Sequence, residues 1–411
     1  VSSFYRPTNR LLRLEVPERA ETEGASLRAL ERELERTPAG PDFLDITYAD
    51  THRFPPDSWV LDEFVKSASG GGMTYTPYRG DASVRHAVAD NVGRFLGAEL
   101  DGNSEIILTP GTQAGLYTAL SAILEPGDVV LLPDPDYITS ERSVRYFDAE
   151  VHPVPLLWEA GRPPRLDLEA LAEGLRRDPK LVMLSHPNNP TGAVFEPSHV
   201  AEIAALIADS SALLLVDQLY CRLVYDRAPF AHMMSMPGMR DRTITTLGPS
   251  KTESLSGYRI GLAVAPPEII DRMEDVMSVA ALRCPAYAQH ILARWLADDV
   301  DYVASRIPEY QALRDTSVGA LSAVPGIDVR PAGGSAYLFP SFAGLDASDQ
   351  QIAVALKRDA GLVVNPGYQF GPRGTKHFRI CFAQDENAWD AALDRMAAVL
   401  SRFAVRGTSA G

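Results

Sequence analysis

Apolar residues near the start of the chain recur at helical spacing. In Ala25 to Arg36 (ASLRALERELER) alanine and leucine fall three and four apart among arginines and glutamates, predicting an amphipathic helix. Phe43 to Tyr48 reads as a short strand leading into the Pro55-Pro56 turn. From about residue 80 to 265 the period alternates. Ala82 to Leu96 is helical, Glu105 to Leu108 extended, Gln113 to Leu124 helical and Val129 to Leu132 extended. Such alternation predicts an α/β fold, a mostly parallel sheet flanked by helices. Three further apolar strands, Leu181 to Ser185, Ala212 to Asp217 and Thr243 to Leu247, each run into a polar, turn-rich segment. Ligands of such sheets gather at the carboxyl ends of strands, so chemistry is expected there. A long helical stretch, Glu268 to Val303, precedes mixed strands and helices that end in a strand, Lys376 to Phe382, and a helix, Glu386 to Phe403. The expected division is an arm and part of a small domain over 1–50, a large ligand-binding domain over 51–285, and a smaller α+β domain over 286–411. Arg406 to Gly411 reads as a loose tail.

At 411 residues the chain is long enough for two or three lobes, and 45% hydrophobic with 23% charged residues is the composition of an ordinary globular protein. A net charge of -15 has the wrong sign for neutralising phosphate backbones, which excludes nucleic acid as the main partner. Arg6, Arg10, Arg13, Glu15 and Glu18 interrupt the N-terminal stretch, so neither a signal peptide nor a membrane span is expected there. Cys221, Cys284 and Cys381 have neither disulfide-framework nor zinc-site spacing, which fits a cytoplasmic setting without a metal. Of the basic residues five are lysines, so chemistry needing an amine has five candidates: Lys66, Lys180, Lys251, Lys357 and Lys376.

Three strand endings carry distinctive residues. SHPNNPTG, Ser185 to Gly192, forces a tight turn, LLLVDQLY ends an apolar strand on Asp217 with Tyr220 three residues on, and GPSKTESLSGYRIG puts Lys251 past a strand end with Arg259 eight residues later. Each has an ordinary reading alone: an Asn-Pro turn, a helix N-cap, a solvated lysine. In this order, each at the end of a separate strand, Asn189, Asp217, Tyr220, Lys251 and Arg259 resemble the fold-type I pyridoxal-phosphate enzymes, specifically the class I/II aminotransferases, from about Asp45 to Phe403.

The resemblance implies an aspartate-aminotransferase-like fold, a large domain that binds pyridoxal 5′-phosphate, and a homodimer. It implies that Lys251 forms the Schiff base and carries the Cα proton to C4′, and that Asp217 pairs with the pyridinium nitrogen. Asn189 and Tyr220 then hydrogen-bond the phenolic oxygen. Gly111, Thr112 and Gln113, where a strand turns into a helix, hold the phosphate with Ser250 and Arg259. Tyr137 of PDPDY stacks on the ring, Tyr75 of YTPYRG crosses from the neighbouring subunit, and Arg379 of HFRICFA grips the substrate α-carboxylate bidentately. The other lysines fit this role poorly, Lys180 preceding its strand and the rest lying in helix or loop contexts.

The chain departs from the family pattern in two places. Asp50, in YADTHRFPP, stands near a glycine position at the substrate end, where with Asn189 and Arg379 it becomes a candidate substrate contact; Gly248 stands where relatives carry a serine. His52, Arg53, Arg79 and Arg283 lie near pocket-lining segments and are candidates to meet an acidic or phosphate-bearing group. The primary expectation is an aminotransferase moving an amino group between an amino acid and a 2-oxo acid. The alternative is a lyase, cyclase or β/γ-replacement enzyme on the same fold, since the cofactor's carbanion chemistry supports several outcomes. A cofactor-sensing regulator is disfavoured, because the first 50 residues hold no helix-turn-helix pattern.

Overall fold

In the computed structural model residues 8–14, 33–40, 42–49, 52–157 and 164–404 are described. The elements in chain order are β1 (Leu44–Asp45), α1 (Ser58–Ser69), α2 (Ala82–Leu96), β2 (Ile106–Thr109), α3 (Thr112–Ile123), β3 (Val129–Asp134), α4 (Ile138–Tyr146), β4 (Glu150–Leu157), β5 (Arg165–Leu166), α5 (Leu168–Leu175), β6 (Leu181–Ser185), α6 (Pro197–Ala208), β7 (Leu213–Asp217), β8 (Thr243–Leu247), β9 (Gly261–Val264), α7 (Pro267–Ala280), α8 (Ala286–Arg294), α9 (Val300–Ser322), β10 (Tyr337–Leu338), α10 (Asp349–Ala360), β11 (Leu362–Val363), β12 (Asn365–Pro366), β13 (Phe378–Cys381) and α11 (Glu386–Leu400).

Eight strands form one sheet in the order β2-β9-β8-β7-β6-β3-β4-β5. The run β8-β7-β6-β3-β4 is parallel, while β9 is antiparallel to both β2 and β8, and β5 to β4. Side chains of successive strand residues point to opposite faces. Val130, Leu181, Met183, Leu215 and Ile244 accordingly pack with α3, α4 and α7 on one side, while Leu131, Val182, Leu184, Leu214 and Val216 pack with α5 and α6 on the other. Burial on both faces explains why these strands read as continuous apolar runs rather than alternating ones. Chain order reverses between β6 and β3, which opens a crevice at the carboxyl ends of the strands.

A second layer comprises the three-stranded antiparallel sheet β10-β13-β12, the parallel pair β1-β11, and helices α9, α10 and α11. The indole of the buried Trp389 on α11 donates to Ser317 Oγ on α9 at 2.8 Å. The arm enters this layer through β1, two residues long, where a strand across Phe43 to Tyr48 is expected. An Asx turn at Asp45 accepting from the Thr47 amide and hydroxyl ends it.

The uninterrupted helix expected over Glu268 to Val303 is three helices. Pro285 lacks the N–H that would continue one, and Leu282 and Leu296 both adopt positive φ at the two breaks. The middle piece, α8, packs against α1 and α2. Of the helix expected over Ala25 to Arg36, positions 25–32 lie outside the described residues, and the remainder is helical. The tail from Arg406 onward also lies outside them. No described helix is long and apolar enough to cross a membrane, and no described His, Cys, Asp and Glu side chains cluster as a metal site would need.

Candidate active site

A cavity of about 350 Å³ lies at the carboxyl ends of the parallel strands, walled on one side by the smaller layer. It is lined by Thr112, Gln113, Tyr137, Asn189, Asp217, Tyr220, Ser250, Lys251, Arg259 and Arg379, ten of the residues singled out from sequence. Gly111 sits just behind the lining as the cap residue of α3. The other expectations lie elsewhere. Asp50 is outside the described residues. Tyr75 is 84% exposed, with the Arg283 guanidinium 4.5 Å above its ring and equally close to Tyr78. Arg79 pairs with Asp271 and Glu274, and Arg53 with Glu309, so both have structural partners away from the lining.

Asp217 terminates β7 on the cavity floor, and its Oδ1 accepts from the Leu219 amide at 3.1 Å. It keeps some accessible surface, yet protein surrounds it closely enough that burial pushes its carboxyl up to about 6, against the pull of the Leu219 N–H and the Lys251 charge. The Thr246 hydroxyl on neighbouring β8 also lies beside the carboxyl and pulls it down. Lys251 follows β8 through Gly248-Pro249-Ser250, and its amine has no hydrogen-bond partner among the described residues. A Cβ at Gly248 would lie 3.1 Å from Gly261 Cα and 3.2 Å from Thr112 Cγ2, so close approach of β9 and α3 accounts for the glycine at this departure from the family pattern.

At the cavity's far end the first turn of α3 presents unpaired amides. Gly111 has φ +82, and a Cβ there would run into the Arg259 guanidinium. Arg259 donates to the Ser256 and Pro110 carbonyls at 3.0 and 3.2 Å, which holds its charge beside those amides and the Ser250 and Ser256 hydroxyls. Helix N-terminal amides, two hydroxyls and a guanidinium together make an anion cradle.

The opposite wall belongs to β13. Arg379 is buried on the central strand of its sheet, not on an edge. Its Nη1 donates to Asn189 Oδ1 at 2.9 Å, and its Nη2 to Asn365 Oδ1 at 2.6 Å and to the Thr47 carbonyl at 3.1 Å. The guanidinium lies 4.0 Å from the Tyr337 ring centroid and 4.9 Å from that of Phe370, while Nε is buried without a partner. Because Asn189 Oδ1 is occupied by Arg379, its Nδ2 remains the donor available to a ligand. Tyr220 and Tyr337 share a 2.9 Å hydroxyl hydrogen bond, and burial lifts the Tyr220 phenol well above its ordinary value.

Sequence reasoning missed Tyr337, Thr47, Ser185, Ser256 and Asn365. Ser185 and Ser256 fall inside runs already recognised as polar strand endings. Tyr337 has no local signal; it reaches the site because β10 pairs with β13, with Tyr337 opposite Cys381.

A floor with a buried carboxylate and an amine, an anion cradle at one end and a guanidinium at the other fit pyridoxal 5′-phosphate with an amino acid. Residues 45–396 match the sequence profile of aminotransferase class I and II. Among curated proteins the chain is 32% identical over 361 residues to an aspartate aminotransferase of Rhizobium meliloti, covering 83% of this chain and 86% of that one. An aromatic-amino-acid aminotransferase of Thermococcus litoralis is 29% identical, with 83% and 87% covered. Among solved structures an aspartate aminotransferase from Rhodobacter sphaeroides superposes with a TM-score of 0.86 at 34% identity, covering 92% of this chain and all of that one. The chain belongs to the class I and II aminotransferase family.

Proposed function

We propose that the cavity around Lys251 is the active site at which this aminotransferase binds pyridoxal 5′-phosphate and moves an amino group between an amino acid and a 2-oxo acid. The observation that carries the reading is the meeting of Asp217, the Lys251–Arg259 segment and Arg379, from three separate parts of the sequence, around one cavity. When bound, the cofactor supplies an electron sink for the pair released at the substrate Cα.

The chain's own residues do the rest. The Asp217 carboxylate holds a proton on the pyridine nitrogen, a pairing that relieves the cost of its burial. The α3 amides at Thr112 and Gln113 bind the phosphate with Ser250, Ser256 and Arg259, and Gly111 lets the backbone come close. Tyr137 covers the ring face. Asn189 Nδ2 and the Tyr220 hydroxyl hold the ring oxygen. Arg379 orients the substrate carboxylate, its plane fixed by Tyr337 and Phe370 and its donors by Asn189, Asn365 and Thr47. The Lys251 amine would be the base that takes the proton from the substrate Cα.

The enzyme works as a homodimer in which Tyr75 serves the partner's site. Supporting this, Met73 and Tyr75, two residues apart, are each more than 70% exposed, side chains that a partner subunit would cover. Three buried free cysteines suit a cytoplasmic enzyme.

Borohydride fixes such a cofactor to its lysine, so peptide mass mapping of the reduced holoenzyme tests the assignment. The expected label is on the peptide containing Lys251; a label on any of the other four lysines, or none, overturns it.

A further inference from the structure

Behind the cavity wall lies a second buried carboxylate that touches no substrate or cofactor position. Asp136 follows β3, is 2% exposed, and has no salt-bridge partner among the described residues. Its Oδ1 accepts from the Tyr137 amide at 2.6 Å and the Ser140 hydroxyl at 3.4 Å. Its Oδ2 accepts from the Ser185 amide at 3.2 Å, the Ser185 hydroxyl at 3.1 Å and Asn188 Nδ2 at 3.0 Å. The Asn188 amide cannot turn over, because its Oδ1 already accepts from the Thr191 amide and hydroxyl.

From there the bonds run onward to the site. Ser185 Oγ, having donated to Asp136, accepts from the Asn189 amide at 3.0 Å. Asn189 in turn receives Arg379. On the other side the Asp136 amide donates to the Phe370 carbonyl at 2.9 Å, and the Phe370 ring packs on the Arg379 guanidinium. Three parts of the wall, the Tyr137 ring, the Ser185–Asn189 turn and the Phe370 segment, therefore share one anchor.

We infer that Asp136 is a positioning residue that aims Asn189 Nδ2 and the Tyr137 ring at the bound cofactor. The inference rests on the reading of the cavity proposed above. Chemistry explains why the anchor is a carboxylate. Both of its oxygens face backbone or amide N–H groups that can only donate, and a carboxylate is the side chain that accepts on both sides. An asparagine of the same shape must turn its NH₂ against one set of donors. Burial and the Asp217 charge push the Asp136 carboxyl up to about 7 against the pull of the Tyr137 and Ser185 donors, so the anchor is fully ionised only above neutral pH.

The test uses purified wild type, Asp136→Asn and Ser185→Ala, each dialysed free of cofactor and titrated with pyridoxal 5′-phosphate. Two quantities are read: the dissociation constant, and the midpoint of the pH titration of the bound cofactor's visible absorption. Loss of a charged hydrogen-bond anchor predicts binding weakened about 10-fold to 100-fold in Asp136→Asn. A donor to the ring oxygen favours its anionic form, so loosening Asn189 also raises the midpoint, by about half a pH unit or more. Ser185→Ala, which cuts the relay and leaves the backbone bonds, shifts the midpoint in the same direction by less. An Asp136→Asn protein that is merely less heat-stable, with an unmoved midpoint, overturns the inference. If Asp136→Asn does not fold, an unmoved midpoint in Ser185→Ala overturns it equally. Absence of any cofactor absorption in the wild type sinks the functional reading first, which separates the two failures.

Discussion

Two clusters of buried charge lie within a few residues of Lys251, and they are built differently. In the first, Arg222 Nη1 meets both Glu253 and Asp299, the latter at 2.9 Å, with all three side chains 7% exposed or less. The Trp295 indole and the Thr252 hydroxyl complete Glu253, and the Leu296 amide completes Asp299. Burial opposes the Arg222 charge, but its two carboxylates more than restore it. In the second, Asp217 has the Leu219 amide, the nearby Thr246 hydroxyl and the more distant pull of Lys251, but no salt bridge among the described residues. The first cluster ties the Lys251 loop to the segment leading into α9 and needs nothing more. The second has no salt-bridge partner in place, and the pyridinium of the proposed cofactor would supply one.

The comparison can be broken in order of effect. Lys251→Ala removes the amine and leaves both clusters in place. Turnover falls at least about 10⁴-fold while the urea midpoint stays near wild type. A variant that keeps a tenth of the activity contradicts the assignment. Arg222→Met strands two carboxylates in the complete cluster. Its cost is about 3–5 kcal/mol of stability by urea unfolding. A loss under 1 kcal/mol means the triad is not the brace described.

Asp217→Asn behaves in the opposite way. Its folded-state carboxyl, raised above the unfolded value, destabilises the fold when ionised; that cost is absent below about pH 4 and complete above about pH 6. The cofactor-free Asn variant is therefore more stable than wild type by about 1–2 kcal/mol at pH 8, after allowing for partial exposure, and equal to it near pH 4. It is nearly inactive at either pH. Thermal melts of the two cofactor-free proteins across this range check the sign, and a variant less stable at pH 8 refutes the contrast. The smallest effect is Gly111→Ala, where a positive φ and the nearby Arg259 guanidinium leave no room for a methyl. Cofactor affinity drops about threefold to tenfold in a binding titration, a loss of about 1 kcal/mol.

Much of this was legible in the sequence because apolar strand runs, helical periodicity and strand endings are local. β6 and β8 fall where the apolar runs predict them, α2 likewise, and the residues just beyond those runs line the cavity. The misses are non-local. Tyr337 lies under Arg379 because β10 and β13 pair across more than 40 residues, a register no local pattern encodes. Asp136 looks like a turn residue in PDPDY until Ser185 and Asn188 arrive 49 and 52 positions later. The helix expected from Glu268 to Val303 shows the converse error, in which a sustained apolar pattern outweighed Pro285. Arg79 and Arg53 illustrate a third kind, since charge near a pocket says nothing of the acidic partner that claims it.

Central to the account is that Lys251 and its surroundings carry out half of an amino transfer on a bound amino acid. The direct measurement mixes cofactor-loaded enzyme with a panel of amino acids, no 2-oxo acid present, and identifies the cofactor form and the small-molecule product by mass in a single turnover. The account predicts one equivalent of pyridoxamine 5′-phosphate with one of the matching 2-oxo acid, and neither in Lys251→Ala. Unchanged pyridoxal 5′-phosphate accompanied by ammonia, an expelled leaving group or a cyclised product would contradict it.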